Sequence, residues 1–158
     1  MKVTLRPLKE LDANKSYQWR NDSKIWRFTG NKPSKYITVE TERKWLREAL
    51  LRPDEIRMAI CVGERQEYVG NVQLTKITSD DAEFHIFIGE SAFLGKGVGI
   101  KAAQLMVDYA TDMLNLKFLY LRVHSYNLPA IRTYLRCGFH QLVSSSDMML
   151  TYTKSLSK

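Results

Sequence analysis

Apolar and polar positions along the chain change period several times, and the changes mark out an alternating pattern of strands and helices. Val3 and Leu5 on either side of Thr4 read as a short strand, and Leu11 to Trp19 as a helix ending near Asn21. The stretch SKIWRFTGNKPSKY, residues 23–36, is rich in turn residues and keeps no steady period, so it is expected to be a long irregular connection. From Val39 to Leu51 the positions Arg43, Trp45, Leu46, Ala49 and Leu50 fit a helix that stops before Pro53. Three strand-like runs come next, RMAICV, YVGNVQLTKI and AEFHIFIG. The turns between them, GERQE and SDD, are of hairpin length, which predicts an antiparallel meander.

After Gly89 the period lengthens. Ile100, Ala103, Val107, Ala110 and Leu114 recur at helical spacing behind a glycine-rich opening, FLGKGVGIKA. KFLYLRV then reads as a strand, NLPAIRTYLRC as a helix begun at Asn127 and closed by Gly138, and FHQLV with MMLTYT as a last hairpin around SSSD. The order βααβββαβαββ gives one α/β (α+β) domain over residues 1–158. It predicts a mixed, mostly antiparallel sheet of about seven strands flanked by about four helices, without linker or repeat.

Composition narrows the class. With 158 residues, 44% of them hydrophobic and 11% aromatic, the chain has enough apolar side chains for one core, which excludes a disordered chain. Its apolar runs fall far short of the ~20 residues of a spanning helix, and MKVTLRPLKELD lacks the apolar stretch of a secretory signal. Cys61 and Cys137 show no CxxC or Cys/His spacing, so two free thiols in a cytoplasmic protein, and no metal site, are expected. The net charge of +7 points to an anionic partner. It is unevenly placed: residues 1–58 hold 14 basic and 8 acidic side chains, residues 59–158 hold 10 and 9.

Gly95, Gly97 and Gly99 lie between a strand and a helix start, where free N–H groups and a close backbone approach suit a phosphate, and Lys96 adds a cation. Two phosphate loops fail on spacing. A Walker loop has four residues between its first glycine and the GK pair, whereas Gly89 and Gly95 enclose five and Gly97 follows Lys96. A GxGxxG fingerprint from Gly95 would need glycine where Ile100 stands. A third pattern fits. The loop, the strand AEFHIFIG before it, and the later Asn127, Ala130, Tyr134, Gly138 and Phe139 resemble the GNAT superfamily of acyl-CoA-dependent N-acyltransferases over essentially the whole chain. In that family the loop reads (Gln or Arg)-x-x-Gly-x-(Gly or Ala), and Leu94 departs from its usual Gln or Arg.

The resemblance implies a division of labour, with residues 1–58 shaping the acceptor site and 82–140 binding acetyl-CoA as co-substrate. It assigns Phe87, Ile88, Gly89, Leu94, Gly95, Lys96, Gly97, Val98, Gly99, Asn127, Ala130 and Arg136 to acetyl-CoA. The reaction it implies is direct attack of a primary amine on the thioester, which calls for a neutral amine, a stabilised oxyanion and a proton for the leaving thiolate. Tyr134 aligns with the family's tyrosine near the sulfur and is the candidate acid, although Leu128, Ile131 and Leu135 would also place it on an apolar stripe. Glu83 and His85 share one face of their strand, and either can serve as base.

The segments WRND, TVETERKWL and IFIGESAFLGKGVG resemble the branch with nucleotide-linked amino-sugar acetyltransferases, near ribosomal-protein N-terminal and polyamine acetyltransferases. The basic first third disfavours a polycation and suits a diphosphate, so the expected acceptor is a nucleotide-linked amino sugar held by Arg20, Asn21 and Trp45. A peptide N-terminus is the alternative, and a non-catalytic acyl-CoA or nucleic-acid binding module the alternative of another class. The nearly neutral second part argues against nucleic acid. A homodimer is compatible with the sequence.

Overall fold

A computed structural model describes residues 1–142 and 148–156, with Phe28 and Thr29 described by their backbone only. The strands are β1 (Val3–Pro7), β2 (Ile56–Val62), β3 (Glu67–Thr75), β4 (Asp81–Ile88), β5 (Phe118–His124), β6 (His140–Gln141) and β7 (Met149–Ser155). The helices are α1 (Ala13–Arg20), α2 (Ser23–Thr29), α3 (Val39–Ala49), α4 (Val98–Asp112) and α5 (Leu128–Arg136). One seven-stranded sheet runs in the order β1-β2-β3-β4-β5-β7-β6. All neighbours are antiparallel except β4 and β5, which the α4 crossover makes parallel.

The expected meander is present, with Met58, Val72 and Ile86 in one cross-strand row and Arg57, Gln73 and His85 in the next. Because side chains alternate, these rows face opposite sides of the sheet. Ile60, Val72, Leu74 and Phe84 meet the buried side of α4, formed by Val98, Ala102, Ala103, Met106, Val107 and Ala110 at helical spacing. On the other side a smaller core of Leu8, Ala13, Trp19, Leu46, Ala59, Cys61 and Tyr68 lies under α1 and α3. It covers only part of that face.

Two sequence expectations need correction. Residues 23–29 are not irregular but form α2. Asp22 caps its start by accepting from the Lys24 N–H at 2.9 Å, and Gly30 ends it at φ 76°, a left-handed conformation that glycine adopts without strain. Among the described residues there are five α-helices, in keeping with the expected sheet flanked by about four. At the other end, the strand expected at FHQLV is only His140–Gln141, and Val143 and the SSSD turn lie outside the described residues.

Candidate active site

The uncovered half of the sheet's polar face forms the floor of a cavity of about 730 Å³. Arg57, Asn71, Gln73, Thr75, Glu83 and His85 contribute to that floor, and α1, α2 and α3 supply walls through residues such as Arg20, Trp26 and Trp45. The period of two that buries Val72, Leu74 and Phe84 beneath α4 thus turns their polar neighbours toward this space.

At one side the floor is split. β4 and β5 pair only at Asp81–Phe118, Ala82–Leu119 and Glu83–Tyr120, and beyond these residues the facing edges have no strand partner among the described residues. Phe84 to Ile88 remain paired to β3 on their other edge. The divergence leaves backbone N–H and C=O groups of β4 open to a ligand, an edge suited to an amide-bearing chain.

Tyr134 reaches this region from α5. It is 6% exposed and packs edge-on against Phe84 at 6.1 Å and at a tilt against Phe139 at 6.0 Å, yet it lines the cavity. The Asn127 side chain caps α5 by accepting from the Ala130 N–H at 3.3 Å, which fixes the first turn two turns ahead of the tyrosine. Among the described residues the Tyr134 hydroxyl takes no protein hydrogen bond, and burial pushes its pKa up to about 12. A phenol held neutral with its proton uncommitted is a proton donor.

Glu83 is 4% exposed and surrounded by cations: Arg122 Nε donates to Oε2 at 3.3 Å, and Lys76 Nζ lies 3.8 Å from Oε1. His85 Nε2 is 3.3 Å from the same Oε1 and 3.1 Å from Thr75 Oγ1. The imidazole remains 42% accessible through the cavity, but desolvation by the walls lowers its pKa, with Arg57 and Arg122 acting in the same sense and Glu83 opposing. His85 is therefore neutral at pH 7 and able to accept a proton.

The glycine loop has the geometry of an anion cradle. Gly95 and Gly97 have φ of 73° and 80°, where a side chain would be strained, and a Cβ at either would meet no atom within 4 Å. Gly97 precedes the first residue of α4, so the unpaired N–H groups of a 15-residue helix open onto this turn. Val98 is buried and anchors the turn, Gly99 faces Thr133 of α5, and Leu94 and Lys96 are exposed. These residues fit a phosphate-bearing ligand, although none of residues 94–99 lines the cavity. Ala130 is half-buried against the core, and Arg136 is exposed in the last turn of α5.

Of the remaining β4 residues, Phe87 lines the cavity and touches Trp19 edge-on at 5.9 Å, whereas Ile88 pairs with Gly70. The Gly89 N–H donates to Val69 O at 2.7 Å, and Trp19 fills the space beside its Cα.

The three residues expected to hold the acceptor divide. Arg20 and Trp45 line the cavity. Asn21 does not, because its side chain is committed to backbone: Nδ2 donates to Tyr17 O and Ile37 O at 2.9 Å, and Oδ1 accepts from the Ile37 N–H at 2.8 Å. It pins the segment between α2 and α3 and is a structural residue. Sequence reasoning missed Arg57, Arg122 and Lys76, which line the cavity. Arg57 shares a face with Gln73 and His85, but that neighbourhood depends on strand register, which spacing alone did not supply.

Among the described residues no cluster of three or more His, Cys, Asp or Glu side chains could hold a metal ion, and no helix is long and apolar enough to cross a membrane.

Comparison with known proteins agrees with this architecture. The spermidine N(1)-acetyltransferase of Escherichia coli K12 is 31% identical over 148 residues, spanning 87% of this chain and 72% of that protein. A solved spermidine N-acetyltransferase of Vibrio cholerae, in complex with CoA and spermine, superposes with a TM-score of 0.82 at 23% identity, covering 97% of this chain and 95% of that one. The aminoglycoside acetyltransferase AAC(6')-Ib in complex with coenzyme A gives 0.80 at 22% identity, over 98% and 95%. The family model described as the acetyltransferase (GNAT) domain matches residues 2–140, and with it the chain belongs to the GNAT acetyltransferases.

Proposed function

We propose that the protein transfers the acetyl group of acetyl-CoA to the primary amine of a small molecule that also carries negative charge, of the nucleotide-linked amino-sugar kind. The observation that carries this reading is the content of one cavity: Tyr134 and His85 both line it, and five cations, Arg20, Lys32, Arg57, Lys76 and Arg122, face three carboxylates, Glu42, Glu55 and Glu83. Each carboxylate already has a cation partner. A polycationic acceptor would find no unpaired carboxylate there, whereas an anionic one meets a positive surplus.

Acetyl-CoA supplies an activated thioester whose sulfur is the leaving group. The glycine loop, with Leu94, Lys96, Val98 and the start of α4, would hold its pyrophosphate, and the unpaired β4 edge through Phe87, Ile88 and Gly89 would receive its amide arm. Asn127 and Ala130 support that arm at the start of α5, and Arg136 offers an exposed cation for the outer phosphates. His85 accepts the ammonium proton, freeing the lone pair with which the amine attacks the thioester carbonyl. Glu83 beside Nε2 favours the tautomer protonated there, leaving Nδ1 as the basic nitrogen, so Glu83 is a positioning residue rather than the base. Tyr134 gives its hydroxyl proton to the departing thiolate.

Thiol release from acetyl-CoA, followed with UDP-linked amino sugars, peptide N-termini and polyamines, tests the reading. Turnover of the nucleotide-linked amines is expected. A polyamine is the second reading, favoured by the spermidine acetyltransferase relatives, and turnover of polyamines alone would replace the first.

A further inference from the structure

Two arginines lie over the Trp45 ring. The Arg20 guanidinium carbon lies 5.5 Å from the ring centre and that of Arg57 4.9 Å. A separate carboxylate steadies each arginine. Arg20 Nη1 donates to Glu42 Oε1 at 2.9 Å, and Arg57 Nε and Nη2 donate to Glu55 Oε1 at 3.0 and 2.7 Å. All five side chains line the acceptor cavity, and the Arg57 side chain is only 7% exposed.

These contacts use some of the five N–H donors of each guanidinium and leave others for a ligand. The alternating array Glu42, Arg20, Trp45, Arg57, Glu55 is neutral as a set, but the indole and the carboxylates hold two planar forks in fixed positions. Planar forks match phosphate oxygens in a way that a lysine ammonium does not. Arg57 shares a cross-strand row with Gln73 and His85, so the cation and the base stand two strand spacings, roughly 9.5 Å, apart across the floor.

We infer that Arg20 and Arg57, set by Trp45, form a two-guanidinium clamp for a phosphate or diphosphate of the acceptor while the acceptor amine lies at His85. The clamp rests on the anionic-acceptor reading above. It changes the role of Trp45 from a surface on which a base stacks to the ring that holds two arginines.

Inhibition by inorganic pyrophosphate and by UDP, measured separately against amine and against acetyl-CoA, tests the clamp. Both anions are expected to compete with the amine, in addition to any competition with acetyl-CoA at the glycine loop. Arg20→Gln and Arg57→Lys should each raise the amine-competitive inhibition constant about tenfold or more, with the acetyl-CoA KM unchanged. Arg57 is nearly buried, so a melting curve accompanies its variant; if that variant does not fold, Arg20→Gln, at a half-exposed site, decides alone. Unchanged inhibition in the folded variants, or competition only with acetyl-CoA, overturns the clamp. Turnover of polyamines alone, with pyrophosphate inhibition still weakened by Arg20→Gln, would overturn the acceptor reading and the clamp's role in acceptor binding, and keep only a two-guanidinium phosphate site. Turnover of nucleotide-linked amines with unchanged inhibition would overturn the clamp alone.

Discussion

The indole of Trp19 occupies the space that a Cβ on Gly89 would need, and its Nε1 donates to Glu90 Oε1 at 3.0 Å. Helix α1 thereby fixes the backbone at the end of β4, just ahead of the glycine loop. Lys15 from the same helix adds a contact to Glu90 at 3.6 Å. Trp19 is 4% exposed and is a packing residue, not a ligand platform.

Gly89→Ala should therefore destabilise the fold by about 1–3 kcal/mol, the usual range for overpacking. At about 2–4 °C per kcal/mol for a chain of this size, the loss is readable as a lowered melting temperature. Pairing it with Trp19→Phe makes room, so the double variant should melt above the sum of the two single losses. Simple additivity would show that the two residues do not share this space.

Tyr134→Phe keeps the ring packed on Phe84 and Phe139 and removes only the hydroxyl. We expect kcat to fall toward the lower end of the ~10²–10⁴-fold range of general catalysis, because a thiol is already a fair leaving group. The acetyl-CoA KM and the melting temperature should hardly move. Wild-type turnover in this variant would remove Tyr134 from the chemistry. With its pKa near 12, Tyr134 should produce no alkaline loss of kcat below about pH 11.

With His85 as the proton acceptor, an activity limb and a stability limb are both expected on the acid side. Its folded pKa lies below the ordinary 6.5, chiefly through burial, so below pH 6.5 the unfolded chain takes up a proton that the folded chain refuses. Stability contributed by this group is present above pH 6.5 and is lost as the pH falls toward the folded pKa. His85→Gln should flatten that part of a melting-temperature profile and abolish the corresponding acid limb of kcat/KM. An unchanged acid limb in the variant assigns the proton acceptor elsewhere.

Much of this arrangement was legible in the sequence, and its gaps have physical causes. The meander, α4 and α5 follow from periods that match their packing, as the buried set of Val98, Ala102, Met106 and Ala110 illustrates. The glycine loop and Tyr134 were found through motifs whose local geometry is self-contained. α2 was missed because a seven-residue helix shows too few turns to display a period, although Asp22 and Gly30 were available as caps. Arg57 was missed because its place in the cavity floor comes from register with His85 two strands away, and Asn21 was misassigned because a polar side chain spent on backbone looks like one free for a ligand.

Removing the α2 cap tests whether that helix matters for the acceptor. Asp22→Ala should cost about 1 kcal/mol of stability. Because Ile25 and Trp26 of α2 line the cavity, it should also raise the KM for the amine more than that for acetyl-CoA. Equal changes in the two constants would detach α2 from acceptor binding.

The most direct measurement of the central claim is the ratio of kcat/KM for a UDP-linked amino sugar to that for spermidine, in one preparation at low and at physiological salt. The charge balance of the cavity predicts a ratio well above one that falls as salt screens the cations. A ratio below one at both salt concentrations would contradict an anionic acceptor.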